Sequence, residues 1–526
     1  MSGYSVATAL FVLLSGPLAA QSDAAFVAWA RDRVVPMDSS GQAFRALDAE
    51  IAEARLIGVV KAASAGRGPT GKLTPCRVPE VEEEVLCGRY EVYENRTAGT
   101  GRKISLNIVV LPAKTPDAAP DPLVFLAGGG VVPATRYAGY FSRAFSGLRQ
   151  RRDILLIDQR GSGASNSLEC ELSTDPANAE YRDEARFVEA VRRCRKELER
   201  KADLRYYTTP FAMDDLDEVR DWLGYPRLNL LGVSYGTQAA MVYLRQHPER
   251  VRSLVLHGVL PFDVPVWLEY PRGAQQALDQ AFAACARQHG CHDAFPNLAE
   301  EFSALLKRLE KPVKVKVSKP ETSQEVEVPI DAEILRFFVS SVLYSAERIH
   351  DLPLLIHLAH AGDYQPLARR LASRGGGSEI PKGVYLSIVC SEEIPQFDAA
   401  ELPAATAGTF MGGFRIGREV LACGEWLRGW LPEGYRVPVQ SSVPALILNG
   451  ALDHVTPPRY GERVARSFTN SRHLVLPNRG HNDTDPCVAE IEQAFVAAGS
   501  LEGLNTSCLA KTEDLSFALR ADQLGS

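Results

Sequence analysis

The stretch Arg227-Leu-Asn-Leu-Leu-Gly-Val-Ser-Tyr-Gly-Thr237 constrains the fold of this 526-residue chain more than any other. A short apolar run (Leu228, Leu230, Leu231, Val233) leads into Gly232-Val233-Ser234-Tyr235-Gly236, and a helix-like segment from Thr237 to Arg245 follows at once. That order reads as strand, sharp turn and helix, with a serine at the apex of the turn. In such a turn the serine backbone is strained and a Cβ two residues to either side would collide, so glycine is needed at both flanks. The strain holds the Ser234 hydroxyl clear of the sheet, and the Tyr235 N–H points from a helix N-terminus toward developing negative charge. A Gly-rich strand-to-helix turn without chemistry is the bland alternative, and the surrounding sequence decides between the two.

Further along the chain, short apolar or alternating runs recur between helix-like segments. Gly88–Tyr93 and Ile104–Leu111 alternate about the turn Ala98–Gly101, as an antiparallel hairpin would. Pro122–Ala127 and Arg152–Ile157 are buried-type strands, ending in Gly128-Gly-Gly130 and in Asp158-Gln-Arg-Gly-Ser-Gly-Ala-Ser165. Val251–Leu256 is the next strand, Val443–Gly450 and Arg472–Leu476 come much later, and a helix is expected over Val488–Ala498. Strands alternating with helices, with special residues at strand C-termini, predict an α/β fold built on a doubly wound, mostly parallel sheet with its site along one edge. From about Val264 the rhythm breaks into helices (Pro271–Gln288, Leu298–Leu309, Asp331–Arg374) around a short alternating pair, Val313–Val317 and Glu325–Ile330. An insertion there, before the last core strands, is where a lid would sit. The expected boundaries are 1–20 signal peptide, 21–75 N-terminal helical extension, 76–263 first part of the core, 264–440 lid, and 441–526 last strands and tail.

The apolar run Val6–Leu14 followed by Ser15-Gly-Pro-Leu-Ala-Ala20 is too short to span a bilayer and ends in small residues, as a signal peptide does. Ten cysteines fall as sequence neighbours: Cys76/Cys87, Cys170/Cys194, Cys285/Cys291, Cys390/Cys423 and Cys487/Cys508. Five local bridges are the simplest pairing and suit an oxidising compartment, outside the cell or in a bacterial periplasm. Cys285, His289, Cys291 and His292 form the one cluster worth weighing as a zinc site, but their spacing is not that of a usual one. A net charge of −7 without a long basic run argues against nucleic acid as a partner. No other segment is apolar enough to predict stable membrane insertion, and nothing in the sequence specifies an oligomeric state.

Serine is a poor nucleophile until a base takes its proton, and imidazole needs an acid to fix its tautomer and stabilise its cation. In this topology the expected chain order is Ser, acid, His, each on a loop after a core strand. Asp453 follows the strand 445–449 in Gly450-Ala-Leu-Asp-His-Val-Thr-Pro-Pro458, and His481 follows the strand 472–476 in Pro477-Asn-Arg-Gly-His-Asn482. Asp263, on the loop after the strand 251–256, is the competing acid. The oxyanion needs two N–H donors: Tyr235 supplies one, and the bare backbone of Gly128–Gly130, Gly129 and Gly130 above all, supplies the other. This chemistry requires neither metal nor cofactor.

With these motifs on the page the chain resembles an α/β-hydrolase of the prolyl-aminopeptidase and tripeptidyl-aminopeptidase-like branch. The resemblance rests on Phe125-Leu-Ala-Gly-Gly129, Asp158–Ser165, Gly232–Thr237, Gly450–Asp453, Gly480-His481, Ile388-Val-Cys-Ser-Glu-Glu393 and Ala422-Cys-Gly-Glu-Trp426, and runs from about Cys76 to Cys508. It implies release of residues or short peptides from free N-termini. One departure stands out: the family's Gly-Gly-Pro-Gly loop has Gly130 in place of proline and Val131 in place of the last glycine. An aminopeptidase must hold a protonated amine, and a buried carboxylate in the lid does so economically. Glu392 is the first candidate from this resemblance and Glu393 the second, while Asp158 and Arg160 are expected to brace the loop beneath the site. The sequence thus predicts an exported serine aminopeptidase acting on peptide or small amide substrates. The alternatives are a carboxylesterase with the same machinery and a non-catalytic binding protein on the same fold.

Overall fold

The computed structural model describes residues 71–129, 131–318, 324–373, 380–483 and 485–524. The expected signal peptide and the helical reading of Phe26–Ser64 lie outside the described residues, as does Gly130. Everything described belongs to one packed unit beginning at Gly66.

Seven strands precede the insertion: β1 (Thr74–Cys76), β2 (Val85–Tyr93), β3 (Lys103–Leu111), β4 (Leu123–Leu126), β5 (Ile154–Ile157), β6 (Leu228–Val233) and β7 (Val251–His257). The insertion contributes a separate antiparallel hairpin, β8 (Val313–Ser318) and β9 (Glu325–Ile330), and the core resumes with β10 (Ala445–Gly450) and β11 (Ser471–Leu476). The main sheet runs β1-β2-β3-β5-β4-β6-β7-β10-β11. Pairing is antiparallel from β1 through β3 to β5 and parallel from β5 to β11, as the alternating and then continuous apolar runs predict. Along β6, Leu230 packs into the core on one face of the sheet with Leu216 and Val242, and Leu231 into the core on the other with Val255, Phe141 and Phe495. Because β4, β6, β7, β10 and β11 are parallel, the loops that follow them all leave from one edge.

The insertion between β7 and β10 has its own apolar cluster, including Leu278, Phe302, Leu335, Val339 and Leu355. The stretch expected as helix from Asp331 to Arg374 is four helices: Ala332–Val342, Ala346–Ile349, Leu352–Ala361 and Gln365–Ala372. The breaks follow local chemistry: Asp331 caps the first, Pro353 and Pro366 stand in first turns, and Gly362 at φ +99° ends the third. Near the end of the insertion, the helix Lys382–Ile388 continues into a π-helical turn, Val389–Glu393. Among the described residues, no helix is long and apolar enough to cross a membrane.

The five cysteine pairs named from sequence are all disulfides: Cys76–Cys87, Cys170–Cys194, Cys285–Cys291, Cys390–Cys423 and Cys487–Cys508. Cys285 and Cys291 therefore bond to each other rather than to a metal. Cys76–Cys87 ties β1 to β2 at the antiparallel edge of the sheet, and Cys170–Cys194 ties the segment after the Asp158–Ser165 loop to the helix Glu184–Glu199.

Candidate active site

Ser234 ends β6 and caps the helix Tyr235–Gln246 with φ +55° and ψ −121°, a conformation an L-residue adopts only under constraint. The constraint is visible at the flanking glycines. A Cβ on Gly232 would lie 2.3 Å from the carbonyl of Gly236, and one on Gly236 would lie 1.9 Å from the carbonyl of Leu126. The turn is pinned from below by Ser234 N–H donating to His257 O (2.9 Å) and by Thr237 Oγ1 donating to Ser234 O (2.6 Å). Tyr235, first in the helix, has no carbonyl one turn back to receive its N–H.

Asp453 follows β10 and His481 follows β11. Their side chains meet: His481 Nδ1 is 2.8 Å from Asp453 Oδ2, and both residues are nearly buried (7 % and 4 % exposed). Asp453 is locked in a tight turn, its Oδ1 accepting from Val455 N (2.9 Å) and Thr456 N (2.8 Å). Burial alone would push its carboxyl up, but the adjacent His481 ring, the Thr456 hydroxyl and the Thr456 amide outweigh that and hold it below the ordinary range. An ionised Asp453 at Nδ1 keeps the ring proton there and leaves Nε2 as the acceptor. Thr456, which sequence reasoning passes over, completes the group: Oγ1 donates to Asp453 Oδ2 (2.6 Å) and sits 3.1 Å from His481 Nδ1. The close backbone behind it is Gly258 (φ +64°), where a Cβ would come within 2.9 Å of Thr456 Oγ1 and 3.2 Å of His481 Cε1. The competing acid, Asp263, is exposed and engaged by Arg463 through both its oxygens (2.8 and 2.7 Å).

Ser234 and His481 line one cavity of about 700 Å³, together with Gly128, Gly129, Tyr235 and Gln238. Gly128 packs so close that a Cβ there would sit 2.9 Å from the Ser234 Cβ. In the loop after β4, Val131 N and Val132 N both donate back to Gly128 O (3.3 and 3.2 Å), so neither faces the serine. Val131 reaches this turn at φ +85°, a strained setting for a β-branched residue and the direct consequence of valine standing where the resembled family has glycine. Gly129, at φ +68°, precedes that turn and lines the same cavity. Asp158 and Arg160 lie beneath, as bracing: Asp158 accepts from Thr135 N (3.1 Å) and Asn107 Nδ2 (2.9 Å), while Arg160 clamps Asp215 (2.6 and 2.7 Å). None of the ten half-cystines named from sequence lines the cavity: Cys76, Cys87, Cys170, Cys194, Cys285, Cys291, Cys390, Cys423, Cys487 and Cys508 all stand outside its wall. Their bridges, Cys76–Cys87 and Cys170–Cys194 included, belong to the scaffold and not to the site, because a thiol spent in a disulfide offers neither a nucleophile nor a ligand.

The two glutamates of the π turn have different surroundings. Glu392 is fully buried, with its carboxylate taken up by Thr209 N (2.7 Å), Thr209 Oγ1 (2.8 Å) and Tyr435 Oη. Through Thr209, whose hydroxyl is 2.7 Å from Tyr235 Oη, it ties the insertion to the residue after the serine. Glu393, not Glu392, lines the cavity, and it receives a long hydrogen bond from Gln396 Nε2 (3.5 Å). The sequence names Glu392 first and Glu393 second, and of the two it is Glu393 that borders the cavity. The cause is the π turn, whose wider backbone ring advances the chain by less than the helical 100° per residue and buries both acids. Burial pushes both carboxyls up to about 7; the negative charge of Glu392 also raises Glu393, against the pull of Gln238 and Arg436.

The family model for the alpha/beta hydrolase fold matches residues 121–485. Three curated proteins are similar over different lengths. Serine protease Hip1 of Mycobacterium tuberculosis is 24% identical over 83% of this chain and 90% of its own. Tripeptidyl aminopeptidase of Streptomyces coelicolor is 24% identical over 68% and 70%. Proline iminopeptidase of Neisseria meningitidis is 28% identical over 30% and 38%.

Proposed function

The chain belongs to the alpha/beta hydrolase family, and we propose that it is an exported serine aminopeptidase that cleaves amide bonds near free peptide N-termini. The observation that carries this reading is one cavity bordered by Ser234, His481 and the buried carboxyl of Glu393. In the proposed cycle His481 Nε2 takes the Ser234 proton as Oγ bonds to the scissile carbonyl carbon, and Asp453 stabilises the resulting imidazolium. Tyr235 N–H and Gly129 N–H, with Gly130 beside it, receive the oxyanion. The C–N bond breaks as His481 returns the proton to the departing amine, and water, deprotonated by the same ring, releases the acyl group from Ser234. Glu393 holds the substrate ammonium; Glu392, already saturated with donors, fixes the turn that presents it. The names of the relatives, a serine protease and two aminopeptidases, support peptide bonds as the target. Five disulfides support an oxidising compartment, and the N-terminal apolar run supports export. The inserted residues 264–440 are proposed as the lid.

One observation favours the esterase reading: much of the cavity wall is apolar or aromatic, with Val132, Leu260, Val266, Ile388 and Val389 among its lining, and such a wall accepts a blocked acyl group. A panel of mono-, di- and tripeptide amides, each free and N-acetylated, separates the two. The aminopeptidase reading expects acetylation to abolish turnover; equal turnover of blocked and free substrates would establish the esterase instead.

A further inference from the structure

We propose that Arg415 forms a carboxylate-binding subsite in the Ser234 cavity, so that preferred substrates carry a carboxylate away from the scissile bond. The inference rests on the peptidase reading for the nature of the substrate, and on the cavity alone for the subsite itself. Arg415 is the one arginine or lysine among the described residues that line the cavity. Its guanidinium is held, not loose: Nη1 donates to Tyr270 Oη (3.0 Å), and the group lies 4.9 Å from the Tyr270 ring centre and 5.6 Å from that of Trp267. Tyr270 Oη is itself fixed by Ser340 Oγ (2.6 Å) and His454 Nε2 (3.2 Å). Burial drives His454 down to about 3, so that ring is uncharged and the positive charge of this wall is Arg415.

No carboxylate among the described residues lies within 4.0 Å of Arg415. Glu419, one turn along the same helix, accepts from Tyr385 Oη (2.9 Å) instead. Three of the four acids along the cavity wall are already engaged. Asp483 accepts from Ala346 N and Gly480 N, Asp485 pairs with Arg479, and Glu492 lies 3.3 Å from His257 Nδ1. Glu393 is the fourth, and its proposed partner is the substrate amine. Helix stability does not explain Arg415 either. It is the second residue of the helix Phe414–Glu425, whose first turn has no acid, and a cation at the positive end of a helix is unfavourable. A rigid guanidinium that faces the cavity with no carboxylate in contact, and with the buried Glu419 acting on it only at Coulombic range, has the planar fork that receives a carboxylate through two parallel N–H···O bonds. The disulfide Cys390–Cys423 joins the turn bearing Glu393 to the helix bearing Arg415, so the negative and positive poles of the cavity are covalently linked. A cavity with both poles suits a short peptide that keeps both its amine and a carboxylate.

Two matched peptide pairs test this and tell the sources of the carboxylate apart: a free-acid peptide against its C-terminal amide, and an amide-terminated peptide containing Glu against its Gln counterpart. The wild-type enzyme is expected to prefer the acid in at least one pair by about ten- to a hundredfold in kcat/KM. That ratio should shrink to within about threefold in Arg415→Gln, with Arg415→Lys between them. No preference in either wild-type pair, or an undiminished preference in a folded Arg415→Gln protein, overturns the proposal. If Arg415→Gln does not fold, the wild-type pairs and Arg415→Lys decide. Protection of Ser234 from a fluorophosphonate by the acid and not by the amide, in wild type and not in Arg415→Gln, reads the subsite without requiring cleavage. Protection without hydrolysis of any peptide would remove the peptidase reading and keep the subsite; hydrolysis without carboxylate preference would do the reverse.

Discussion

Thr456 touches both members of the Asp453–His481 pair, and its loss would leave the carboxylate short of a donor in a buried site. Thr456→Val is expected to slow fluorophosphonate labelling and kcat by about ten- to a hundredfold, and Thr456→Ser to recover most of it. Recovery by serine separates a hydrogen-bonding role from a packing one. Glu393 gives a prediction in pH. Its carboxyl, raised by burial from the ordinary 4.5 to about 7, is ionised, and able to hold an ammonium, only as pH climbs through that value. KM for free-amine substrates should therefore fall between about pH 6 and 8, and Glu393→Gln should remove that dependence. The same shift has a stability sign. The folded state keeps a proton that the unfolded chain has already lost, so the stability contributed is full below about 4.5 and is lost as pH rises toward 7. At this scale the places of Ser234, Asp453 and His481 on the loops after β6, β10 and β11 are legible in the sequence, because each stands at a fixed offset after an apolar strand. The choice between Glu392 and Glu393 is not legible, since adjacent acids differ only by the backbone's rotation and a π turn leaves no composition signal. Arg415 is missed for a similar reason: a lone arginine in a helix carries no pattern.

The elbow between β6 and the Tyr235–Gln246 helix is held by exclusion of atoms rather than by added contacts. Gly236→Ala would drive a methyl group into the Leu126 carbonyl, and a loss on the order of 3 kcal/mol or more in thermal or denaturant unfolding is expected, together with loss of labelling. Gly224→Ala is the control. That glycine caps a helix at φ +81° with nothing within 4 Å of a Cβ, so only the left-handed penalty of about 1–2 kcal/mol applies. The strands of the core are legible because their apolar runs are short and closed by Gly, Pro or Asp. The helices of 331–374 are legible as helix but not as four, although Pro353, Gly362 and Pro366 mark the breaks. Periodicity outweighs punctuation when the intervening residues keep one apolar face.

For the molecule as a whole, the insertion and the core must keep a fixed relation for the cavity to exist, which the Glu392–Thr209–Tyr235 chain of hydrogen bonds provides, and the insertion must keep its own shape, where the Cys390–Cys423 disulfide ties the turn bearing Glu393 to the helix Phe414–Glu425. Closing a loop of this separation contributes about 3–4 kcal/mol. Replacing both cysteines with serine should lower the melting temperature and raise KM for free-amine substrates more than it lowers the rate of fluorophosphonate labelling, because the serine and its base stand on the core. The cysteine pairing is legible from sequence neighbours, Cys76 with Cys87 and Cys170 with Cys194 among them. The three-way packing of core, π turn and Arg415 helix is not, because it depends on contacts between segments far apart in the chain. The central claim, that Ser234 is a nucleophile activated by His481, is tested most directly by mass spectrometry of the fluorophosphonate-treated protein. The account predicts a single adduct mapped to Ser234, absent in Ser234→Ala and formed at least about a hundredfold more slowly in His481→Ala. An adduct of undiminished yield in Ser234→Ala would contradict it.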